Sequence, residues 1–296
     1  MMRWHSSAPA LIAVLIVLNV PVSAQDARRI TVLYDAFGPP STLVKDWGFA
    51  ALVEYGARRV LFDTGNNAEI FERNVRQLGI DLTRLDAVVI SHRHGDHTTG
   101  LTHLVTVNSS VTIYAPQEGA FFKSRVPEAF LERHPGLPSN LQYYEGKAPE
   151  RWTSGTPWEQ ANFEIVSGRK EILPGFYVLT TRSEKPGTID MNEVSLAVRT
   201  SRGLAVIVGC SHPGVEKILA EAAKIDERLY IVSGGFHLVQ TPEAEVQRVA
   251  DVLHDTLKIQ RVAPGHCTSE RGFAWFMNRF KDRFEPAGLG SVIALP

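Results

Sequence analysis

The stretch SHRHGDHTTG at positions 91–100 crowds His92, His94, Asp96 and His97 into six positions directly after the apolar run LDAVVI. A loop leaving a strand end can aim several short side chains at one point, which consecutive positions inside a helix or strand cannot do. Imidazole and carboxylate are both good ligands for zinc and similar first-row metals. His92 and His94 can therefore clamp one ion, while Asp96 and His97 serve a second nearby; Gly95 and Gly100 ease the turns. The alternative is a polar surface loop with incidental histidines, and four ligand-type residues beside an apolar strand weigh against it. A metal with an open coordination position lowers the pKa of a bound water from about 16 to about 7. The chemistry to expect is hydrolysis by an activated water that Asp96 orients.

Further histidines stand in related settings. His212 in GCSH and His266 in APGHC each follow an apolar strand and a glycine, so both can project from strand ends. His237 in SGGFHL follows a glycine pair that lets backbone approach a ligand; it either reaches metal or substrate or serves as a structural hydrogen bonder. Cys210 and Cys267 are the only cysteines, each beside a histidine. A disulfide, a pair of free buried thiols and metal contact are all open, with free thiols ranked slightly ahead. His254, on an amphipathic helix, and His5 have no functional reading.

The elements that must carry these side chains alternate in type. RRITVLYDA reads as a β-branched strand, and WGFAALVEYGARRVLFDTG as two strands joined by a Gly-containing turn at Tyr55 to Arg58. In NNAEIFERNVRQLGI, Ile70, Phe71, Val75 and Leu78 share one helical face and Gly79 supplies a stop. The second half repeats this alternation, with VSLAVRT, GLAVIVG and LYIVSGG as strands, VEKILAEAAKI and PEAEVQRVADVLHDTLK as helices, then RVAPGHC. This predicts an α/β protein of two similar halves with sheets covered by helices, rather than an all-β sandwich. Residues 115–175 break the rhythm, with many prolines and the aromatics Phe121, Phe122, Tyr143, Tyr144, Trp152 and Trp158. They form either a packed excursion or a lid over the site, and packing is favoured.

Composition bounds the rest. With 296 residues, 44% apolar and 21% charged, the chain can bury one large core. Thirty-one basic side chains against 32 acidic ones give no electrostatic reason to expect nucleic acid or anionic lipid as a partner, and favour a small-molecule substrate. Arg3, the apolar run LIAVLIVLNV at 11–20 and PVSAQ read as a secretory signal over residues 1–24, leaving 25–296 as one domain. A predominantly apolar run of this length falls well short of the ~20 residues needed to span a bilayer, so the expectation is a periplasmic or secreted protein without stable membrane insertion.

The order His92, His94, Asp96, His97 after a strand is H-x-H-x-D-H, and it resembles the metallo-β-lactamase fold hydrolases. More narrowly, WGFAALVE, LFDTG, SHRHGDHTTGL, NEVSL, VGCSHPG, SGGFHL and APGHCT look like the branch named for dihydropterin ribofuranosyl-aminobenzene phosphate synthase. The resemblance covers nearly all of residues 29–270. It implies a four-layer αββα sandwich, and it implies that Asp63 in LFDTG supports the metal loop by accepting an imidazole N–H. Glu193 in NEVSL matches an acidic position of the branch and is a candidate for similar support. The superfamily's third histidine has no clear counterpart, since His103 and His134 sit in unpromising contexts, and its bridging aspartate is missing, with Cys210 following Gly209 instead. His212 is then the candidate to complete the His92 and His94 ion, and His266, matching the superfamily's last ligand, to complete the Asp96 and His97 ion.

The resulting expectation is an exported hydrolase with two divalent ions, zinc foremost with iron or manganese as alternatives, acting on an ester, amide or phosphoester. Asp96 and His237 are its catalytic candidates. A pterin-related transferase on the same ions and a non-catalytic periplasmic metal-binding protein are the rival readings.

Overall fold

A computed structural model of the chain describes residues 27–118, 121, 136–147 and 158–296. The expected leader over 1–24, together with Phe122, His134 and Trp152, lies outside the described residues. Strand β1 (Arg28–Tyr34) pairs antiparallel with β2 (Ala50–Tyr55), which turns through Gly56 and Ala57 into β3 (Arg58–Phe62). Gly56 sits at φ +61°, as the first position of a two-residue hairpin turn of this hand demands. Helix α1 (Ala68–Gln77) starts where the Asn67 side chain accepts from the backbone N–H groups of Glu69 and Ile70, and ends before Gly79 at φ +66°. Its inner face buries Phe71 and Val75. Strand β4 (Ala87–Val89) then runs parallel to β3, followed by the short helices α2 (Gly95–Thr98) and α3 (Leu101–Val107), and by β5 (Thr112–Pro116) and β6 (Asn162–Val166).

The second half restates this plan. After the edge strand β7 (Arg169–Leu173), β8 (Phe176–Arg182), β9 (Asn192–Thr200) and β10 (Gly203–Val208) form an antiparallel meander. Helices α4 (Val215–Ala222) and α5 (Glu243–Asp251) carry the chain to β11 (Leu229–Gly235) and β12 (Arg261–Gly265), both parallel to β10. Helix α6 (Glu270–Phe280) and β13 (Val292–Ala294) close the chain, and β13 joins the edge of the first sheet. The strand orders are β13-β1-β2-β3-β4-β5-β6 and β12-β11-β10-β9-β8-β7.

Ile30, Val53, Phe62 and Val89 from one sheet meet Val178, Leu196, Ala205 and Ile207 from the other in the central core. On the outer face of the first sheet, Phe71, Val75, Leu101 and Leu104 of α1 and α3 pack on Leu52 and Leu61. On the outer face of the second, Ile218, Leu219, Val249, Phe276 and Phe280 of α4, α5 and α6 pack on Val206 and Val232. Strands such as β10, GLAVIV, are apolar and buried at every position because both faces are covered. The architecture is a four-layer αββα sandwich of two similar halves. Among the described residues no helix is long and apolar enough to cross a membrane.

The segment 115–175 supplies β6 and β7, one edge strand to each sheet. Its Trp158 is buried in the outer core of the first half and donates from Nε1 to Thr102 Oγ1 at 3.1 Å, and Phe121 is buried in the same layer. Tyr143 and Tyr144 are exposed. Trp158 and Phe121 are thus packing residues.

Candidate metal centre

In both halves the parallel strands point the same way, and their carboxyl ends converge where the halves meet. Phe62 pairs with Val89, which sets Asp63 beside the start of the histidine loop; Val208 pairs with Gly234 and Gly235 with Gly265, which sets the segments after β10, β11 and β12 side by side. The halves are tied directly at this level, since Val194 N donates to Ser91 O at 2.8 Å. Gly209 lies so close to the histidine loop that a Cβ there would stand 2.2 Å from Ser91 Oγ.

Asp63, fully buried at φ +56°, organises the first motif. Its Oδ1 accepts from Ser91 N at 2.7 Å, and its Oδ2 accepts from Ser91 Oγ at 2.7 Å and from His97 Nδ1 at 2.7 Å. A carboxylate only accepts, so His97 carries its hydrogen on Nδ1 and turns Nε2 outward. The Ser91 hydroxyl hydrogen is committed to Asp63, so Ser91 Oγ accepts from His92 Nδ1 at 2.8 Å, and the lone pair of His92 is also left on Nε2. One carboxylate therefore sets two tautomers. Burial opposes a proton on His97, but the Asp63 charge and hydrogen bond outweigh it and hold the ring up to about 9. A metal ion would displace that proton on binding. Burial and neighbouring imidazoles push His92 well below its ordinary value, and burial with His212 brings His94 down to about 4, so both rings offer lone pairs at neutral pH.

Glu193, at the start of β9, does the same work for the second half. Fully buried, it accepts from Cys210 N at 3.0 Å, Ser211 N at 2.6 Å, His212 N at 2.8 Å and His212 Nδ1 at 2.9 Å, leaving the His212 Nε2 lone pair free. Burial raises such a carboxyl, yet His212 and the backbone N–H groups hold Glu193 below its ordinary range. His266, at φ +45°, is positioned by its own N–H, which donates to Asp35 Oδ2 at 2.9 Å; burial pushes Asp35 up to about 7.

The structure brings the six proposed ligands into two adjoining groups. The rings of His92, His94 and His212 are mutually 4.6–4.9 Å apart, and His92 Nε2 lies 3.1 Å from His94 Nδ1. Asp96 Oδ2 lies 3.4 Å from His266 Nε2 and 3.8 Å from His97 Nε2. The two groups touch, with the His92 and His97 rings 4.2 Å apart. His237 joins at the edge, its ring exposed and 4.4 Å from that of His212. His103 and His254 lie elsewhere, beside Glu72 and Asp255.

Cys210 was not in the ligand set read from the sequence, and with Asp96, which also clusters with His92 and His94, it stands between the two groups. Its Sγ lies within 4.8 Å of the ligand atoms of His92 and His212 and of those of His97 and His266, and only 3.2 Å from His97 Nε2. Its position in GCSH, directly before His212, was the signal available. Cys210 and Cys267 are both free and buried. Cys267 Sγ donates to Cys210 O at 3.6 Å; burial works to raise its thiol, but Cys210, His266 and His237 together hold it low.

This set fits a divalent metal. Two imidazole nitrogens bound to one tetrahedral zinc lie about 3.3 Å apart, close to the His92–His94 separation. His266 Nε2 meets Asp96 at 3.4 Å, yet both His266 ring nitrogens are buried and neither has a hydrogen-bond partner of good geometry among the described residues. Leaving such groups unpaired costs about 1–3 kcal/mol each, and an ion would satisfy one of them. The mixture of imidazole, thiol and carboxylate suits zinc-like ions rather than calcium or magnesium.

Fold and site together are similar to those of the metallo-β-lactamase superfamily, over part of the chain in the family model and nearly all of it in single relatives. Residues 58–166 match the model of the beta-lactamase superfamily domain. A Methanocaldococcus jannaschii protein named 7,8-dihydropterin-6-methyl-4-(beta-D-ribofuranosyl)-aminobenzene-5'-phosphate synthase is 29% identical over 282 residues, covering 89% of this chain and 95% of the relative. A ribonuclease Z of Aeropyrum pernix is 32% identical over 99 residues, 31% of this chain and 28% of its own length. Among solved structures, Tm1679, described as a metal-dependent hydrolase of the beta-lactamase superfamily, superposes with a TM-score of 0.69 at 28% identity over 91% of this chain and 99% of that one.

Proposed function

We propose that the protein is an exported hydrolase that holds two divalent ions, zinc foremost, and cleaves an ester, amide or phosphoester bond of a small molecule. The observation that carries this reading is the gathering of His92, His94, His212, Asp96, His97, His266 and Cys210 into two adjoining groups, with the His266 ring nitrogens buried and without a hydrogen-bond partner among the described residues. A divalent ion held there supplies Lewis acidity, acidifying a water and polarising the substrate oxygen that gains charge. The chain does the rest. Asp63, directly on His97 and through Ser91 on His92, and Glu193 on His212 lock three imidazole lone pairs toward the centre. Asp96, whose side chain is still 20% exposed, accepts a hydrogen from the attacking water and orients it. His237, open to solvent beside His212, carries a proton to the leaving group. Near-balanced charge, 31 basic against 32 acidic groups, suits a small substrate better than nucleic acid.

The test is a hydrolytic screen of metal-replete and metal-stripped protein on phosphodiester, β-lactam, lactone, thioester and sulfate ester substrates. Turnover that disappears on stripping and returns with zinc supports the reading; none across the screen overturns it. The coverage of the Methanocaldococcus synthase favours a second reading, in which the same residues position two substrates for bond formation. That reading requires consumption of a ribofuranosyl-aminobenzene phosphate only when a pterin partner is present. Metal content without either activity would leave a binding protein. Export rests on Arg3 and the apolar run at 11–20. It predicts a periplasmic chain whose N-terminal sequence starts at Gln25; an intact Met1 in a membrane fraction overturns it.

A further inference from the structure

Three neighbouring strands of the second sheet each carry a ligand-type side chain two positions beyond their ends: Cys210 after β10, His237 after β11 and Cys267 after β12. The strands are parallel, and Gly235 pairs with Gly265, so His237 and Cys267 leave the sheet side by side. The Sγ atoms of Cys210 and Cys267 and a ring nitrogen of His237 all lie within 4.8 Å of one another. His237 and Cys267 belong to neither of the two divalent-ion groups, whose donors are mostly imidazole with Cys210 as their sulfur.

The backbone holds these three side chains in place before any ion arrives. Phe236 N donates to Thr268 Oγ1 at 3.1 Å and Leu238 N donates to Cys267 O at 2.9 Å, so the chain is tied to the exit of β12 on both sides of His237. Ser211 Oγ donates to Gly235 O at 2.7 Å and fastens the Cys210 segment to the same place. Gly235 leaves room for the second thiol, because a Cβ there would stand 2.7 Å from Cys267 Sγ. His237 sits at φ +52°, a left-handed conformation that few residues other than glycine adopt and that clusters at functional sites. Packing alone accounts for buried cysteines, and Cys210 and Cys267 are both free and buried. It does not account for an exposed imidazole held against them. An ion also has a way in. An open cavity of about 400 Å³ between Trp47 and Val239 is lined by His237 and Cys267, and none of the six histidine and aspartate ligands of the divalent-ion groups is among the described residues that line it.

Two thiolates and one imidazole bound to a single zinc-sized ion stand about 3.6–3.8 Å apart, inside the 4.8 Å spread of these atoms. Thiolate ligands select soft ions such as Cu(I), whereas carboxylate and carbonyl oxygen suit harder ones. We propose that Cys210, Cys267 and His237 form a separate site for one soft, thiophilic ion of the Cu(I) class, reached through the cavity and additional to the two divalent ions. The two thiols release their protons as the ion binds. Cys210 can serve this site and the divalent centre together, because a thiolate sulfur has lone pairs for more than one ion.

The experiment is anaerobic titration of the zinc-loaded full-length protein with Cu(I) in competition with the chelator bicinchoninate, with copper and zinc counted by mass spectrometry. The wild type is expected to take about one Cu(I) per chain and to keep its zinc. Loss of a hydrogen bond that merely supports a ligand costs about 10- to 100-fold in metal affinity, so loss of a whole ligand in Cys267→Ser or His237→Ala should weaken Cu(I) binding by at least about 10-fold. Zinc content should be unchanged in both. If Cys267→Ser folds poorly, His237→Ala, at an exposed position, carries the comparison. No Cu(I) held by the wild type, Cu(I) gained only as zinc is lost one for one, or undiminished uptake in either folded variant overturns the proposal. The readout is metal uptake and not turnover, so a failed hydrolytic screen leaves this site standing. A protein that holds no zinc yet takes up Cu(I) in a Cys267-dependent way would sink the divalent centre alone.

Discussion

Replacing Glu193 by Gln changes one buried atom from acceptor to donor and should cripple the neighbouring His212, whose own identity is unchanged. The carboxylate takes four hydrogen bonds, two of them from the N–H and Nδ1 of His212 at 2.8 and 2.9 Å. A glutamine can keep its oxygen toward Cys210 N and Ser211 N, but its NH₂ then faces two donors. Each buried donor without a partner costs about 1–3 kcal/mol. The His212 ring can relieve one by moving its hydrogen from Nδ1 to Nε2, leaving one orphan and a stability loss of about 1–3 kcal/mol. The moved hydrogen then occupies the nitrogen meant for the metal. Loss of such supporting hydrogen bonds typically costs about 10- to 100-fold in metal affinity, equivalent to about 1.4–2.8 kcal/mol. Urea unfolding of the metal-free variant reads the first quantity and chelator competition reads the second. A Glu193→Gln protein with the wild-type urea midpoint and wild-type metal affinity would refute the idea that this carboxylate sets the His212 tautomer.

The ligand assignment predicts about two ions per wild-type chain and about one in either His212→Ala or His266→Ala, because a zinc site normally needs three protein ligands. Mass spectrometry of dialysed protein checks this, and a single ion in the wild type would sink it. Cys210 lies among both groups, so the cobalt-substituted protein should show a thiolate charge-transfer band that Cys210→Ser abolishes and Cys267→Ser retains; the reverse pattern would move the sulfur ligand to Cys267. Gly209→Ala would place a methyl group 2.2 Å from Ser91 Oγ and 2.6 Å from Ser91 Cβ. Breaking the Asp63–Ser91–His92 relay in this way should cost about 1–3 kcal/mol of stability and weaken metal binding; unchanged values of both would show that the contact yields without consequence.

The sequence alone determined what is local. His92, His94, Asp96 and His97 were legible because six adjacent positions in one loop share a location whatever the rest of the chain does. The α1 face of Phe71 and Val75, its stop at Gly79, the turn at Gly56 and the alternation of strands with helices were legible because periodicity and backbone sterics act within a few residues. Asp63 and Glu193 were nameable through family resemblance, but their partners were not, since these carboxylates accept from residues 17 to 34 positions away across strand boundaries. The edge strands β6 and β7 are short and largely exposed, without the alternation that marks a strand. Only the tertiary structure decided that Cys210 stands between two ligand groups, that Trp158 packs under α3 while Trp47 faces a cavity, and that His212 and His266 meet a loop more than one hundred positions earlier. The physical reason is that parallel strands joined by helical crossovers bring their carboxyl ends to one level. Which side chains become neighbours there depends on strand order and register between the two sheets, and these are set by how the whole core packs.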